Sequence, residues 1–188
     1  MSSGEAASAD GRHVALLRAV NVGGRNRIAM ASLRELLTGL GYADVRTHLQ
    51  SGNAVFTAAG SSPRRLEEEI ERALADGLGL GARVLVRTRA ELERVIAANP
   101  LLELAEDHAR LLVMFLSDAP DRAVVSELAA AELEPEVFAF GEREIYAWYP
   151  QGVGETRRSN AFWERRLGVA STGRNWRTVT RLLELASE

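Results

Sequence analysis

The apolar positions along this chain change period repeatedly, and each change marks an element. Residues 13–20, HVALLRAV, are apolar on both alternating faces: Val14, Leu16 and Val20 on one, Ala15, Leu17 and Ala19 on the other. That pattern predicts a buried strand. Met30, Leu33, Leu36, Leu37 and Leu40 then recur at helical spacing, so a helix is expected over 30–41 with Gly41 at its C-cap. DVRTHLQ and NAVFTA read as two strands joined around Ser51 and Gly52. Residues 61–79 open with Ser-Ser-Pro and place Leu66, Ile70, Ala73 and Leu74 on one helical face. ARVLVRT, 82–88, is a further strand. The order is β-α-β-β-α-β, the ferredoxin-like signature.

The second half repeats that order without repeating the sequence. A helix around AELERVIAAN stops before Pro100, and a strand is expected over 109–117 and a helix over 120–131. EVFAF and REIYAWYP form a hairpin around Gly141 and Glu142. Helix 159–168, a short strand VAST and a closing helix from Gly173 to Ser187 complete the chain. The expected class is α+β, two packed ferredoxin-like modules and a C-terminal helix. The modules are placed at 13–88 and 109–188, with a linker helix at 89–108 and a disordered tail at 1–12. Helices cover one face of such a sheet, so the doubly apolar first strand calls for a cover on its other face, and the sister module is the nearest candidate.

Composition narrows the chemistry. All 23 basic residues are arginine and there is no cysteine. A Schiff-base lysine, a Walker A lysine, a thiolate nucleophile and a disulfide are excluded. No apolar run approaches a membrane span and MSSGEAASADGR lacks the core of a secretory signal, which points to a cytoplasmic protein with no membrane partner. The net charge is −3, but residues 157–181 carry seven arginines against Glu164 alone. Residues 11–49 carry six against Glu35 and Asp44. Such asymmetry favours local anion sites.

Two clusters fit that expectation. In β-α-β-β-α-β the first βα loop and the β2–β3 hairpin share one end of the sheet. Arg18, Asn21, Gly23, Gly24 and Arg25 should therefore approach Ser51 and Asn53. Glycines let successive N–H groups converge on an anion, and arginine supplies paired donors. The other cluster gathers Thr172, Arg174 and Asn175 beside the loop PQGVGETRRSN. Thr172 is the expected N-cap of the closing helix, placing Arg174 in its first turn, where a cation opposes the helix dipole and a bound anion would offset it. Trp148, Trp163 and Trp176 lie near this cluster, as base-stacking candidates or as core.

The motifs ALLRAVNVGG, MASL and QSGNAVF, with YPQGVGE and TGRNWRTV near the end, resemble the bacterial family called domain of unknown function 1697. The resemblance runs from about residue 13 to 187. It implies a two-part ferredoxin-related α+β fold and no established activity. Ala19 stands where that family usually has glycine and Gly173 where threonine is common, and Arg25 and Arg27 replace common lysines.

Three functional readings remain open on the sequence. The first is binding of a small phosphate-bearing, nucleotide-like or other anionic ligand. The second is an enzyme acting on such a ligand, with His13, His48, His108 and Ser51 as the few candidate groups. The third is a scaffold with no small ligand. Nucleic acid ranks below a small anion, because the sheets lack paired exposed aromatics and the chain is acidic overall. No histidine pair has metal-ligand spacing, and no metal or cofactor is expected.

Overall fold

The computed structural model describes residues 11–24, 26–131 and 133–188. The expected tail falls outside them except for Gly11 and Arg12. The latter already belongs to the first strand, β1 (Arg12–Leu17). There follow α1 (Met30–Gly39), β2 (Ala43–His48), β3 (Asn53–Thr57), α2 (Pro63–Leu78), β4 (Val84–Thr88) and α3 (Arg89–Ala97). The strands form an antiparallel sheet ordered β2-β3-β1-β4, with β1 pairing β3 from Arg12–Thr57 to Leu16–Asn53. Leu33 and Leu37 of α1, and Leu66, Ile70 and Leu74 of α2, pack in one cluster with Ala15, Leu17, Phe56 and Val86 of the sheet. Of the apolar stripes read from the sequence, Met30, Leu33, Leu37, Leu66, Ile70 and Leu74 are buried, and Leu36, Leu40 and Ala73 are half-buried at their margins. Ser62 caps α2 by accepting from the Arg65 N–H, and Gly79 ends it at a left-handed φ of 62°.

A second set comprises β5 (Leu111–Leu116), α4 (Arg122–Ala130), β6 (Val137–Phe140), β7 (Glu144–Trp148), α5 (Asn160–Leu167), β8 (Ser171–Asn175) and α6 (Trp176–Ser187), with a single 3-10 turn at Val153–Glu155. Its antiparallel sheet is ordered β6-β7-β5-β8. Met114, Leu116, Leu128, Ile145, Trp163 and Leu167 form its core. The fold is therefore mixed α+β, with two four-stranded antiparallel sheets. The chain divides into one unit made of residues through Glu93 with Leu182–Glu188, and another made of Arg94–Arg181. The boundaries between these units fall inside α3 and α6, and α3 stops at Ala97. No helix among the described residues is long and apolar enough to cross a membrane.

The expected start of the closing helix needs correction. The strand does not end at Thr172. It pairs with β5 from Ser171–Leu116 through Asn175–Leu112, and helix α6 begins only at Trp176. Thr172 and Arg174 are strand residues. The cap is Asn175, whose Oδ1 accepts from the Thr178 N–H at 2.9 Å. At the corresponding turn after β4, Thr88 Oγ1 accepts from the Glu91 N–H while Glu91 Oε2 accepts from the Thr88 N–H, a reciprocal capping box.

Candidate functional site

The loop after β1 does meet the β2–β3 hairpin. The Leu17 N–H donates to the Gly52 carbonyl at 2.8 Å, and Asn21 Nδ2 donates to the Gln50 carbonyl at 2.6 Å. Gly52 allows the approach: a Cβ there would stand 2.5 Å from Val20 Cγ2 and 2.7 Å from Leu17 Cβ. The two asparagines, however, are used internally. Asn21 Nδ2 also donates to the Ile28 carbonyl while its Oδ1 accepts from the Ile28 N–H, stapling the loop across its neck. Asn53 is fully buried and its Nδ2 donates to the His48 carbonyl and to Ser51 Oγ, which holds the hairpin. Arg18 is half-buried, and its backbone N–H donates to Arg83. Arg25 lies outside the described residues.

A cavity of about 390 Å³ opens beside this loop, lined by Asn21, Gly24, Arg27, Ile28 and Ala29. Arg18, Ser51 and Asn53 do not line it. Gly23 and Gly24 turn the chain at φ 61° and 76°, and the Arg27 guanidinium lies over Gly24, 4.0 Å from where a Cβ would sit. Arg27 is exposed and makes no hydrogen bond or ion pair among the described residues. The cavity ends at the start of α1. There Ala29 has the extended backbone of an N-cap but offers no side-chain acceptor, and the first turn holds no acid. N–H groups without a side-chain cap and the positive end of a helix dipole thus face the side of the cavity where Arg27 lies. Arg27 is the residue that the sequence reading did not select. Its type was visible, but its lack of a partner is a three-dimensional property.

The second cluster does not assemble as expected. Thr172 and Arg174 share a face of β8, and Arg174 Nη1 donates to Thr172 Oγ1 and to the Gly173 carbonyl, both at 2.8 Å. Only 8% of Arg174 is exposed, and burial pulls its pKa down to about 10, leaving it charged at neutral pH. It is a packed strand residue rather than a first-turn cation. The tryptophans are core as well: Trp163 is fully buried, with Phe138, Phe140 and Phe162 meeting it edge-on, and Trp148 and Trp176 are buried.

What the PQGVGETRRSN loop does form is a cavity of its own, about 390 Å³, with Arg157, Arg158 and Gly152 among its walls. Arg158 Nη1 pairs with Glu136 Oε2 at 2.7 Å. The Tyr149 hydroxyl donates to the Arg158 carbonyl at 3.2 Å. Burial pushes the Tyr149 pKa up to about 12; the Trp163 indole N–H approaches its oxygen and acts the other way, without a well-formed hydrogen bond. Burial likewise raises Tyr42, helped by its 2.7 Å hydrogen bond to Glu69, and raises Tyr146. All three phenols are neutral at physiological pH.

The family model described as a protein of unknown function, DUF1697, matches residues 11–146. The chain belongs to the DUF1697 family. The match takes in the β1–α1 loop and the hairpin and ends within β7, before the PQGVGETRRSN loop. A solved structure of the conserved bacterial protein SP0830 from Streptococcus pneumoniae is similar over more of the chain. It has 26% identity and a TM-score of 0.71, covering 93% of this DUF1697 chain and 98% of that one. A comparison with curated proteins finds no match.

Proposed function

We propose that this DUF1697 protein binds a small anion, of the phosphate or nucleotide-phosphate class, in the cavity between the glycine turn and the start of α1. One observation carries the reading: an α-helix with neither a side-chain cap nor a first-turn acid opens onto a cavity whose nearby arginine has no partner among the described residues. Uncapped N–H groups, the dipole and a guanidinium all favour negative charge at one point. We read each unit as a ferredoxin-like module, supported by the element order and by the strand orders β2-β3-β1-β4 and β6-β7-β5-β8.

The test is a titration of the full chain with inorganic phosphate and with adenosine diphosphate, followed through backbone amide resonances. Saturable shifts at Gly23, Gly24 and the first turn of α1 are expected. Arg27→Ala should weaken binding about tenfold, the loss of one charge-assisted contact. Unmoved first-turn amides, or an unchanged affinity in the variant, would overturn the assignment.

A further inference from the structure

We propose that the cavity of the second unit is a separate site for a small zwitterion with an apolar body, the class of free amino acids with aromatic or branched side chains. Its volume of about 390 Å³ lies in the range of small-molecule sites. Three segments build it: residues 134–136 ahead of β6, residues 149–152 after β7, and residues 157–162 leading into α5. These segments are tied together. The Arg158–Glu136 ion pair links the first to the third, and the Tyr149 hydroxyl on the Arg158 carbonyl links the second to the third. The walls are thus held in place before any ligand arrives, which lowers the ordering cost of binding.

The chemistry of the walls sets the ligand class. Pro135 and Phe162 supply apolar surface, with Tyr149 behind them. The Tyr149 ring is 1% exposed and is met edge-on by Phe138, so it is a fixed wall and not a mobile one. Among the described residues, four charged side chains line the cavity, in two unlike pairs. Arg158 and Glu136 neutralise each other. Arg157 and Glu134 are exposed and make no hydrogen bond or ion pair among the described residues. Among the described residues, one cation and one anion therefore remain unmatched beside an apolar wall. A ligand with a single charge satisfies one and is repelled by the other. A zwitterion places its carboxylate on Arg157 and its ammonium on Glu134, with its side chain against Phe162 and Pro135.

The experiment uses L-phenylalanine on the full chain, followed by calorimetry and by tryptophan fluorescence, since Trp163 lies 5.0 Å from Phe162 centre to centre. Phenethylamine lacks the carboxylate, 3-phenylpropionate lacks the ammonium, and L-alanine lacks the ring. L-Phenylalanine should bind saturably and at least tenfold more tightly than each of the three. Arg157→Ala should remove most of its advantage over phenethylamine, and Glu134→Gln most of its advantage over 3-phenylpropionate. Both side chains are exposed, and circular dichroism melts should match the parent. Arg27→Ala should leave L-phenylalanine binding unchanged, which separates this site from the phosphate site. The proposal is overturned if neither L-phenylalanine nor L-leucine binds saturably, if 3-phenylpropionate binds as tightly as L-phenylalanine, or if both variants leave the preferences unchanged.

Discussion

The two strand-to-helix connections at equivalent places in the two sheets differ sharply. Residues 117–121 join β5 to α4, and Asp121 caps the helix, accepting from the Ala123 N–H at 2.7 Å and from Val124. Residues 18–29 join β1 to α1 by a path more than twice as long. Along that path Ala19, Asn21, Gly23, Gly24 and Asn26 all take positive φ, and the helix begins without a side-chain cap. The short connection shows that a strand and a helix in this arrangement need only a few residues and one aspartate between them. The length, the left-handed residues and the open helix end of the first connection are thus not demanded by topology. Local costs that a fold does not demand concentrate where a protein works.

The comparison breaks most easily at the hairpins beside these connections. Gly52→Ala places a methyl against Val20 and Leu17 at a φ of 77°, so it should cost about 3 kcal/mol or more. Gly141→Ala in the other hairpin meets first the Glu144 side chain from Cγ to Oε1, a flexible chain that can swing away, and should cost about 1 kcal/mol. Urea denaturation of both variants checks this; equal losses would show that the first hairpin is no more constrained than the second.

The caps give the next largest effect. Asp121→Ala should destabilise by about 1 kcal/mol. Ala29→Asp, which supplies the acceptor that α1 lacks, should stabilise by about 0.5–1 kcal/mol. The same carboxylate would occupy the proposed anion position, so phosphate affinity should fall about tenfold while stability rises. A stabilised variant with unchanged phosphate binding would separate the open helix end from function. The smallest effect is at Ala19, whose φ is 53°. Ala19→Gly relieves a left-handed alanine at some entropic cost in the unfolded chain, for a net gain of about 0.5–1 kcal/mol in the same denaturation assay.

The periodic elements were legible in the sequence because burial follows period: Leu66, Ile70 and Leu74 could only be one face of a helix. The strand at 171–175 was not. Ser-Thr-Gly-Arg-Asn has no apolar alternation, and its conformation is set by pairing with β5, a long-range partner. Gly173 serves that pairing by leaving room for Met114, whose sulfur would stand 2.8 Å from an added Cβ. Asn175 and Thr172 were both chemically able to cap, and only the length of the strand chooses between them. At the first site the convergence of loop and hairpin was readable from topology. That Asn21 and Asn53 use their amides within the loop and hairpin, on backbone carbonyls and the Ser51 hydroxyl, while Arg27 faces the cavity, depends on distances no pattern of residue types contains.

Arg12 gives β1 a bond to the far end of the chain. Its guanidinium donates to the Leu185 carbonyl at 2.8 Å and the Ala186 carbonyl at 3.3 Å, and also to Thr57 Oγ1. The two carbonyls lie in the Leu182–Glu188 segment of the first unit, which follows the whole second unit in chain order. On the ribosome, the first unit begins to form long before those carbonyls have been made. The first strand can pair with β3 and β4 before then, but Arg12 at its start keeps its hydration until translation has passed through every residue of the second unit.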